Sequence, residues 1–139
     1  MFLSERLGNS YLQTTYRVNG ADEIVDIRIG VRNDALDRLL ETYKATEWVF
    51  VTASNPGSRL LPERENAKRN AVLVKTFEEA GLRFLGGVGV PDKTGWKPEQ
   101  SYLVLGVSKS DAMAMASCWD QCAIVWGCLR NPPELLWNS

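Results

Sequence analysis

The alternation of apolar and polar positions near the start of the chain predicts a β-hairpin. Residues 11–18 and 23–31 are rich in β-branched and aromatic side chains, and the second segment interleaves aliphatic residues with charges. Between them lies Asn19-Gly20, a pair typical of tight turns between antiparallel strands. We therefore expect two paired strands here.

The next segments carry apolar residues at helical spacing. Residues 34–44 place leucines on one stripe, and Asn33 stands where an N-cap is needed. A second helix covers about residues 65–80 and ends before Gly81, because glycine adopts the left-handed conformation found just past helix ends. Both helices are expected to pack one face against a core.

Short apolar runs predict four strands, at residues 47–53, 82–90, 101–107 and 122–129. A further helix starts after Ser108, which with Asp111 resembles a capping box, and ends near Gln121. From residue 47 the order is then strand, helix, strand, strand, helix, strand, which is the split β-α-β pattern of ferredoxin-like folds. A short apolar tail, residues 134–137, follows a pair of prolines and is expected to pack on a sheet edge.

These elements indicate an α/β protein of the α+β class. We expect a ferredoxin-like split β-α-β core over about residues 47–129, extended by an N-terminal β-hairpin and helix over residues 11–44. The sheet is expected to be mixed or antiparallel, and the whole of residues 1–139 to form a single domain. Because this kind of scaffold hosts many unrelated activities, function has to be argued from particular residues.

Composition places the chain among ordinary globular proteins. It has 139 residues, of which 45% are hydrophobic and 24% charged. The apolar runs fall well short of the ~20 residues that cross a bilayer, and residues 1–6 contain no apolar segment of a secretory signal. The chain has three cysteines, Cys118, Cys122 and Cys128. This odd number favours buried, reduced thiols over a set of disulfides. A cytoplasmic protein without a membrane partner is expected.

Charge and residue usage narrow the chemistry. A formal net charge of -1 makes nucleic acid an improbable partner, because dedicated binders carry a basic face. The chain has no histidine, which excludes histidine-based catalytic triads and most catalytic zinc sites. The cysteine spacing matches no metal motif, so neither a metal nor another cofactor is expected. Whether the protein is an enzyme is left open.

Two asparagines continue the buried stripe of the second helix. Asn66 and Asn70 precede Leu73 and Phe77 at helical spacing, and a buried amide needs a hydrogen-bonding partner. One interpretation is that the amides hold down the turn Asn55-Pro56-Gly57-Ser58, which follows the strand at residues 47–53. The other is that Asn55, Ser58 and the two amides bind a ligand at the helix N-terminus, where anions are favoured.

Basic residues cluster in the same region. Arg59, Arg64, Lys68 and Arg69 lie within eleven positions, and a phosphate or carboxylate group would suit them. Because Glu63 and Glu65 are interspersed, an ordinary solvated face is the alternative. The glycine-rich strand 85–90 matches neither a phosphate loop nor a dinucleotide fingerprint, and its glycines instead allow a close backbone approach or a bulge.

The loop before the strand 101–107 supplies an aromatic ring, a carboxylate and a hydroxyl from Trp96, Glu99 and Ser101. Glu99 is the best candidate for a general base, and Trp96 is a candidate wall on which a ligand ring stacks. The alternative is that Trp96 covers the core and Glu99 caps a turn.

The chain resembles a bacterial family catalogued as domain of unknown function 3293 over about residues 48–127. The matching segments are residues 51–58, Glu65-Asn66 with Asn70, Gly87-Val88-Gly89, Trp96 with Glu99 and Ser101, and Gln121 with Ala123-Ile124-Val125-Trp126. The chain departs from the pattern at Gln100, where a second acid often stands, and at Trp119-Asp120, where Phe-Gly is common. The resemblance implies no activity, but it selects the polar positions chosen above and adds Gln121.

Three functions compete. The first is binding of a small polar or anionic ligand, such as a nucleotide-like metabolite, near the Asn55–Ser58 turn, by the residues Asn55, Ser58, Asn66, Arg69, Asn70, Trp96, Glu99 and Gln121. The second is a protein-interaction or inhibitor module, since five tryptophans and the apolar tail supply interface-prone surface. The third is a hydrolase or transferase that uses Glu99.

Overall fold

The structure, a computed structural model, describes residues 8–93 and 97–138. Residues 8–12 are helical. In chain order the strands are β1 (Thr14–Asn19), β2 (Ile24–Ile27), β3 (Glu47–Val51), β4 (Phe84–Pro91), β5 (Glu99–Leu105), β6 (Ala123–Cys128) and β7 (Glu134–Trp137). The helices that follow β2 are α1 (Asp34–Thr42), α2 (Glu63–Glu79) and α3 (Lys109–Cys118).

The strands form one seven-stranded sheet in the order β2-β1-β4-β5-β3-β6-β7. Every neighbouring pair is antiparallel. The predicted α+β class and antiparallel sheet are therefore confirmed. The tail predicted to pack on a sheet edge is strand β7, whose Leu135 pairs with Val125 of β6.

The two faces of the sheet support two hydrophobic clusters. On one face α2 and α3 share a cluster in which Leu73 and Phe77 pack near Ala112 and Ala116. On the other face α1 and the β1-β2 hairpin pack with β3, and the central member is the fully buried Trp48. Helices therefore lie on both faces. The two helices of the core, α2 and α3, share one face, and α1 covers the other because its leucine stripe requires its own apolar partner.

Local capping signals set the helix boundaries. The backbone N–H of Leu36 donates to Asn33 Oδ1 at 3.0 Å, and that of Asp111 donates to Ser108 Oγ at 3.1 Å. Gly81 has φ of 69° directly after α2, in the left-handed region that glycine occupies without strain. These three predictions from the sequence are confirmed.

The hairpin is confirmed, although its boundaries differ from the prediction. Asn19 still pairs with Ile24, so residues 20–23 form the connection and Asn19-Gly20 is not a two-residue turn. Strand β1 starts at Thr14, whose Oγ1 donates to the Ser10 carbonyl of the preceding helical turn at 2.7 Å. Tyr11 consequently belongs to a helix rather than to a strand.

The glycine-rich strand β4 permits a close approach between backbones. A Cβ added at Gly87 would lie 2.5 Å from the Arg17 carbonyl of β1 and 3.1 Å from the ring of Phe50. A side chain there would separate β1 from β4, which are paired from Thr14 to Val18. The sequence interpretation of a close backbone approach is confirmed, and it joins the hairpin to the rest of the sheet.

Candidate functional site

The turn that leaves β3 is held by an amide from α2. The backbone N–H of Ala53 donates to Asn70 Oδ1 at 2.9 Å, and Asn70 Nδ2 donates to Ser54 Oγ at 2.9 Å. Asn70 is only 2% exposed, and these two hydrogen bonds give both polar atoms of its buried amide a partner within the protein. This geometry assigns Asn70 a positioning role.

A second amide continues the same pattern one turn earlier. The backbone N–H of Asn55 donates to Asn66 Oδ1 at 2.8 Å, and Asn66 Nδ2 donates to Asn55 Oδ1 at 2.8 Å. Asn55 itself is left-handed, with φ of 48° and ψ of 63°, a conformation that asparagine tolerates better than most residues. Asn66 thus fixes the backbone of Asn55.

Asn55 links this scaffold to the predicted carboxylate. Its Nδ2 donates to Glu99 Oε2 at 2.6 Å, while its Oδ1 also accepts the Leu61 backbone N–H at 2.9 Å. Glu99 opens strand β5 and pairs with Gly89 of β4. The loop after β3 and the first residue of β5 therefore meet at one end of the sheet.

Burial raises the pKa of the Glu99 carboxyl above its ordinary value of 4.5, and the hydrogen bond from Asn55 partly opposes that shift. Among the described residues no cation contributes to this pKa. The carboxyl therefore sits in a desolvated place and is stabilised by a neutral donor alone.

A cavity of 1080 Å³ opens beside this carboxyl. It is bounded by the helical residues before β1, by the end of β3 with its turn, by the start of α2 and by the adjoining ends of β4 and β5. Its polar lining includes Asn55, Ser58, Glu99 and Gln121, and its aromatic lining includes Tyr11, Tyr16 and Phe50.

Two tyrosines that sequence reasoning missed face this region. Burial is the main reason that the pKa of Tyr11 rises to about 12, and the charge of Glu99 adds to the shift. The Tyr11 hydroxyl also hydrogen-bonds with Ser58, and the Tyr16 hydroxyl donates to the Tyr11 carbonyl at 3.0 Å. No sequence pattern distinguishes Tyr11 from a strand residue, because its role depends on a contact with residues far along the chain.

Arg69 and Gln121 connect the turn to the loop before β6. Arg69 Nε donates to the Ala53 carbonyl at 2.6 Å, and its Nη2 donates to the Trp119 carbonyl at 3.1 Å. Gln121 Nε2 donates to the carbonyls of Ser54 and Trp119, each at 3.2 Å. Both side chains brace two loops against each other, although Gln121 also lines the cavity.

Asp120 shows the local strain in that second loop. Its φ is 54°, a left-handed conformation that glycine adopts more readily. Its carbonyl accepts the backbone N–H of Gly57 at 2.6 Å, so the loop is pinned to the turn after β3. Glycine would adopt this conformation without strain, which agrees with the Phe-Gly pair that the family resemblance implies here.

The predicted basic residues lie away from the cavity, whereas Asn66 and Asn70 are among its lining residues. Arg59, Arg64, Lys68 and Arg69 are not among its described lining residues, so the predicted basic cluster does not face it. Trp96 lies outside the described residues. The exposed lysines that do line it are Lys93 and Lys97.

The cysteines differ from the expectation of buried thiols. Cys118 is exposed, and Cys122 and Cys128 are half-buried, although all three are free. Cys118 lies at the end of α3 and Cys122 precedes β6, so neither occupies an interior strand position. Ser58 Oγ donates to Cys122 Sγ at 3.4 Å, which places this thiol at the edge of the site.

A family model with the description "Protein of unknown function (DUF3293)" matches residues 51–124, which is more than half of the chain. The chain belongs to this DUF3293 family. The matched segment runs from the end of β3 into β6 and includes the turn, both α2 amides, Glu99 and Gln121. Membership supports the predicted resemblance and carries no activity.

Neither a curated protein nor a solved structure matches this DUF3293 chain. In the described ranges, 8–93 and 97–138, no helix is both long and apolar enough to cross a membrane.

Proposed function

We propose that this DUF3293 domain binds a small polar ligand in the cavity beside Glu99. The observation that carries the proposal is a desolvated carboxyl facing a cavity of 1080 Å³ while Asn55 holds it in place. Ligand pockets in proteins have volumes of roughly 300–1,000 Å³ and combine apolar walls with a few polar groups. The aromatic and polar lining described above has this character.

The scaffold around the carboxyl supports the same proposal. Asn70, Asn66 and Arg69 engage the backbone of the turn, so the turn is ordered before any ligand arrives. A site that is already ordered loses less conformational entropy on binding. In this proposal Asn55, Ser58, Glu99 and Gln121 contact the ligand, and Asn66, Arg69 and Asn70 position them.

A thermal-shift screen of small metabolites tests the proposal. A ligand at 100 times its dissociation constant adds about 2.7 kcal/mol of stability, which a melting curve resolves. Ala67→Phe should remove any such shift, because Ala67 is an exposed residue of α2 that lines the cavity. Ala71→Phe is the matched control, since Ala71 is exposed on the same helix and is not among the lining residues.

In this screen a shift that survives in Ala67→Phe would contradict the proposal, because the ligand would then bind elsewhere. A flat screen would also contradict it. Nucleotides and sugar phosphates belong in the screen, because an anionic ligand was predicted from the sequence and Lys93 and Lys97 line the cavity.

A second candidate function is acid-base catalysis by Glu99 in a hydrolase or transferase. The raised pKa of Glu99 favours it, because a carboxyl shifted toward neutral pH exchanges protons more effectively. Glu99→Gln would abolish turnover of any substrate found while leaving binding measurable, and full activity in that variant would exclude this role. The protein-interaction hypothesis stays a prediction, and the tail on which it rested is the edge strand β7.

For the fold we propose a ferredoxin-like core over residues 47–128 in a single domain that includes the N-terminal hairpin. The strand order β4-β5-β3-β6 supports it, as does the alternation of these strands with α2 and α3. The shared cluster of α2 and α3 on one face supports it further. Cooperative unfolding with coincident far-UV and tryptophan signals would be the expected behaviour of one domain.

A further inference from the structure

We propose that the ligand carries a positively charged nitrogen group, an ammonium, amidinium or guanidinium, which pairs with Glu99, and an apolar or aromatic body. This inference rests on the proposed function and specifies its ligand class. It departs from the anionic ligand predicted from the sequence, and it follows from the way charges and rings are distributed around the cavity.

In the part of the chain that the structure describes, the carboxyl of Glu99 has no countercharge. Among the described residues its hydrogen bond comes from the neutral amide of Asn55, through Oε2, and no cation acts on it. A desolvated carboxylate without an opposite charge is costly, and proteins usually pair such groups. A cation supplied by the ligand would complete the pair.

The neighbouring hydroxyls do not compensate this charge. Burial is the main cause of the raised pKa values of Tyr11 and Tyr16, the negative charge of Glu99 adds to both shifts, and the positive charge of Arg28 partly opposes the shift of Tyr16. The proton of the Tyr16 hydroxyl is already donated to the Tyr11 carbonyl. The negative charge of Glu99 therefore reaches both hydroxyls, and a negative charge in a desolvated place attracts cations and repels anions.

The walls suit a cation with an apolar body. Tyr11, Tyr16 and Phe50 line the cavity, and the rings of Tyr16 and Phe50 meet edge to face with centroids 5.3 Å apart. Aromatic faces attract ammonium and guanidinium groups, by about 0.5–1 kcal/mol at exposed sites and more when desolvated. Aliphatic side chains of Val51, Leu61 and Ile124 add apolar surface.

The lysines at the cavity do not reverse this preference. The Nζ atom of Lys97 lies 3.9 Å from Glu63 Oε1, and the two side chains are 80% and 85% exposed. Charges this exposed are screened by water and salt. The desolvated Glu99 therefore dominates recognition inside the cavity.

Three probes of similar shape test the inference: 2-phenylethylamine, 2-phenylethanol and 3-phenylpropanoate, which are cationic, neutral and anionic at neutral pH. Dissociation constants come from protein-observed NMR titrations of the full chain. We expect the amine to bind at least ~10-fold more tightly than the alcohol, a difference typical of a charge-assisted contact. The carboxylate should bind most weakly.

Glu99→Gln should lower the amine's affinity by ~10-fold and remove the difference between amine and alcohol. Glu63→Gln is the matched control, because Glu63 also lines the cavity but is exposed, and its effect should stay below ~2-fold. If Glu99→Gln does not fold, the wild-type protein still decides the matter. Its amine affinity should fall as Glu99 becomes protonated at low pH, and its alcohol affinity should not.

The outcomes separate this inference from the proposed function. If all three probes bind with equal affinity in the cavity, the charge inference is overturned and the binding function stands. Tighter binding of the carboxylate than of the amine would likewise overturn the charge inference and leave the binding function standing. If none binds, the inference and the proposed function are both contradicted.

Discussion

The polar side chains at one end of the sheet form two groups that differ in what they contact. Asn70, Asn66 and Arg69 direct their polar atoms at the backbone of the turn after β3. Asn66 and Asn70 also line the cavity, but the polar groups there whose pKa values burial raises include those of Glu99 and Tyr11. The comparison teaches that polar side chains whose atoms all have hydrogen-bonding partners hold the fold together. A buried ionisable group without an opposite charge marks the place for a ligand.

The comparison predicts its largest effect for Asn70→Ala. This variant should lose about 3 kcal/mol of folding stability, because it leaves the Ala53 N–H and the Ser54 hydroxyl without a partner in a buried place. Chemical denaturation measures the loss. Asn66→Ala should cost about 1 kcal/mol, since Asn66 is only half-buried. Equal losses of folding stability in Asn70→Ala and Asn66→Ala would contradict the expected difference between the buried and the half-buried amide.

Glu99→Gln should behave in the opposite way. The amide keeps an acceptor for Asn55 Nδ2 and removes a desolvated charge, so stability near neutral pH should stay within about 1 kcal/mol of the wild type or rise. A loss as large as that of Asn70→Ala would place Glu99 in the scaffold.

The pH dependence of stability sharpens the same point. Because the folded pKa of Glu99 is raised, the folded state binds more protons than the unfolded state in the window that begins at the ordinary value of 4.5. Its contribution to stability is therefore lost as pH rises through the folded pKa. Denaturation at several pH values should show the difference between wild type and Glu99→Gln shrinking toward acid pH. The neighbouring hydroxyls of Tyr11 and Tyr16 stay protonated across this window.

The smallest effect is expected for Tyr11→Phe. It removes a hydroxyl that contacts Ser58 and lies near Glu99, and should change stability by less than about 1 kcal/mol and ligand affinity by a few-fold. Tyr43→Phe is the control, since Tyr43 lies outside the lining of this cavity. An affinity change in Tyr43→Phe equal to that in Tyr11→Phe would remove Tyr11 from the site.

Local signals explain what could be predicted from the sequence. The caps Asn33 and Ser108 and the helix end at Gly81 act within a few residues of themselves, and all three are confirmed. The contact of the α2 amides with the turn was one of the two interpretations of the sequence, because helical periodicity places Asn66 and Asn70 on the buried stripe of this helix.

Contacts between distant residues explain the rest. The hydroxyl of Tyr11 reaches Ser58, a contact that follows from how the hairpin folds over the sheet and from no pattern near residue 11. The sequence predicts Arg69 as part of an anion site, because the positive charge of an arginine can be read from the sequence alone. The fold shows that the Arg69 guanidinium instead donates hydrogen bonds to the carbonyls of Ala53 and Trp119.

The most direct test of the central claim is a map of backbone amide shifts when 2-phenylethylamine is titrated into the wild-type protein. The account predicts that the largest changes lie at Thr52, Asn55, Gly89 and Glu99, which surround the cavity. Changes centred on the β1–β2 loop and α1, where a separate cavity of 290 Å³ lies, would contradict it.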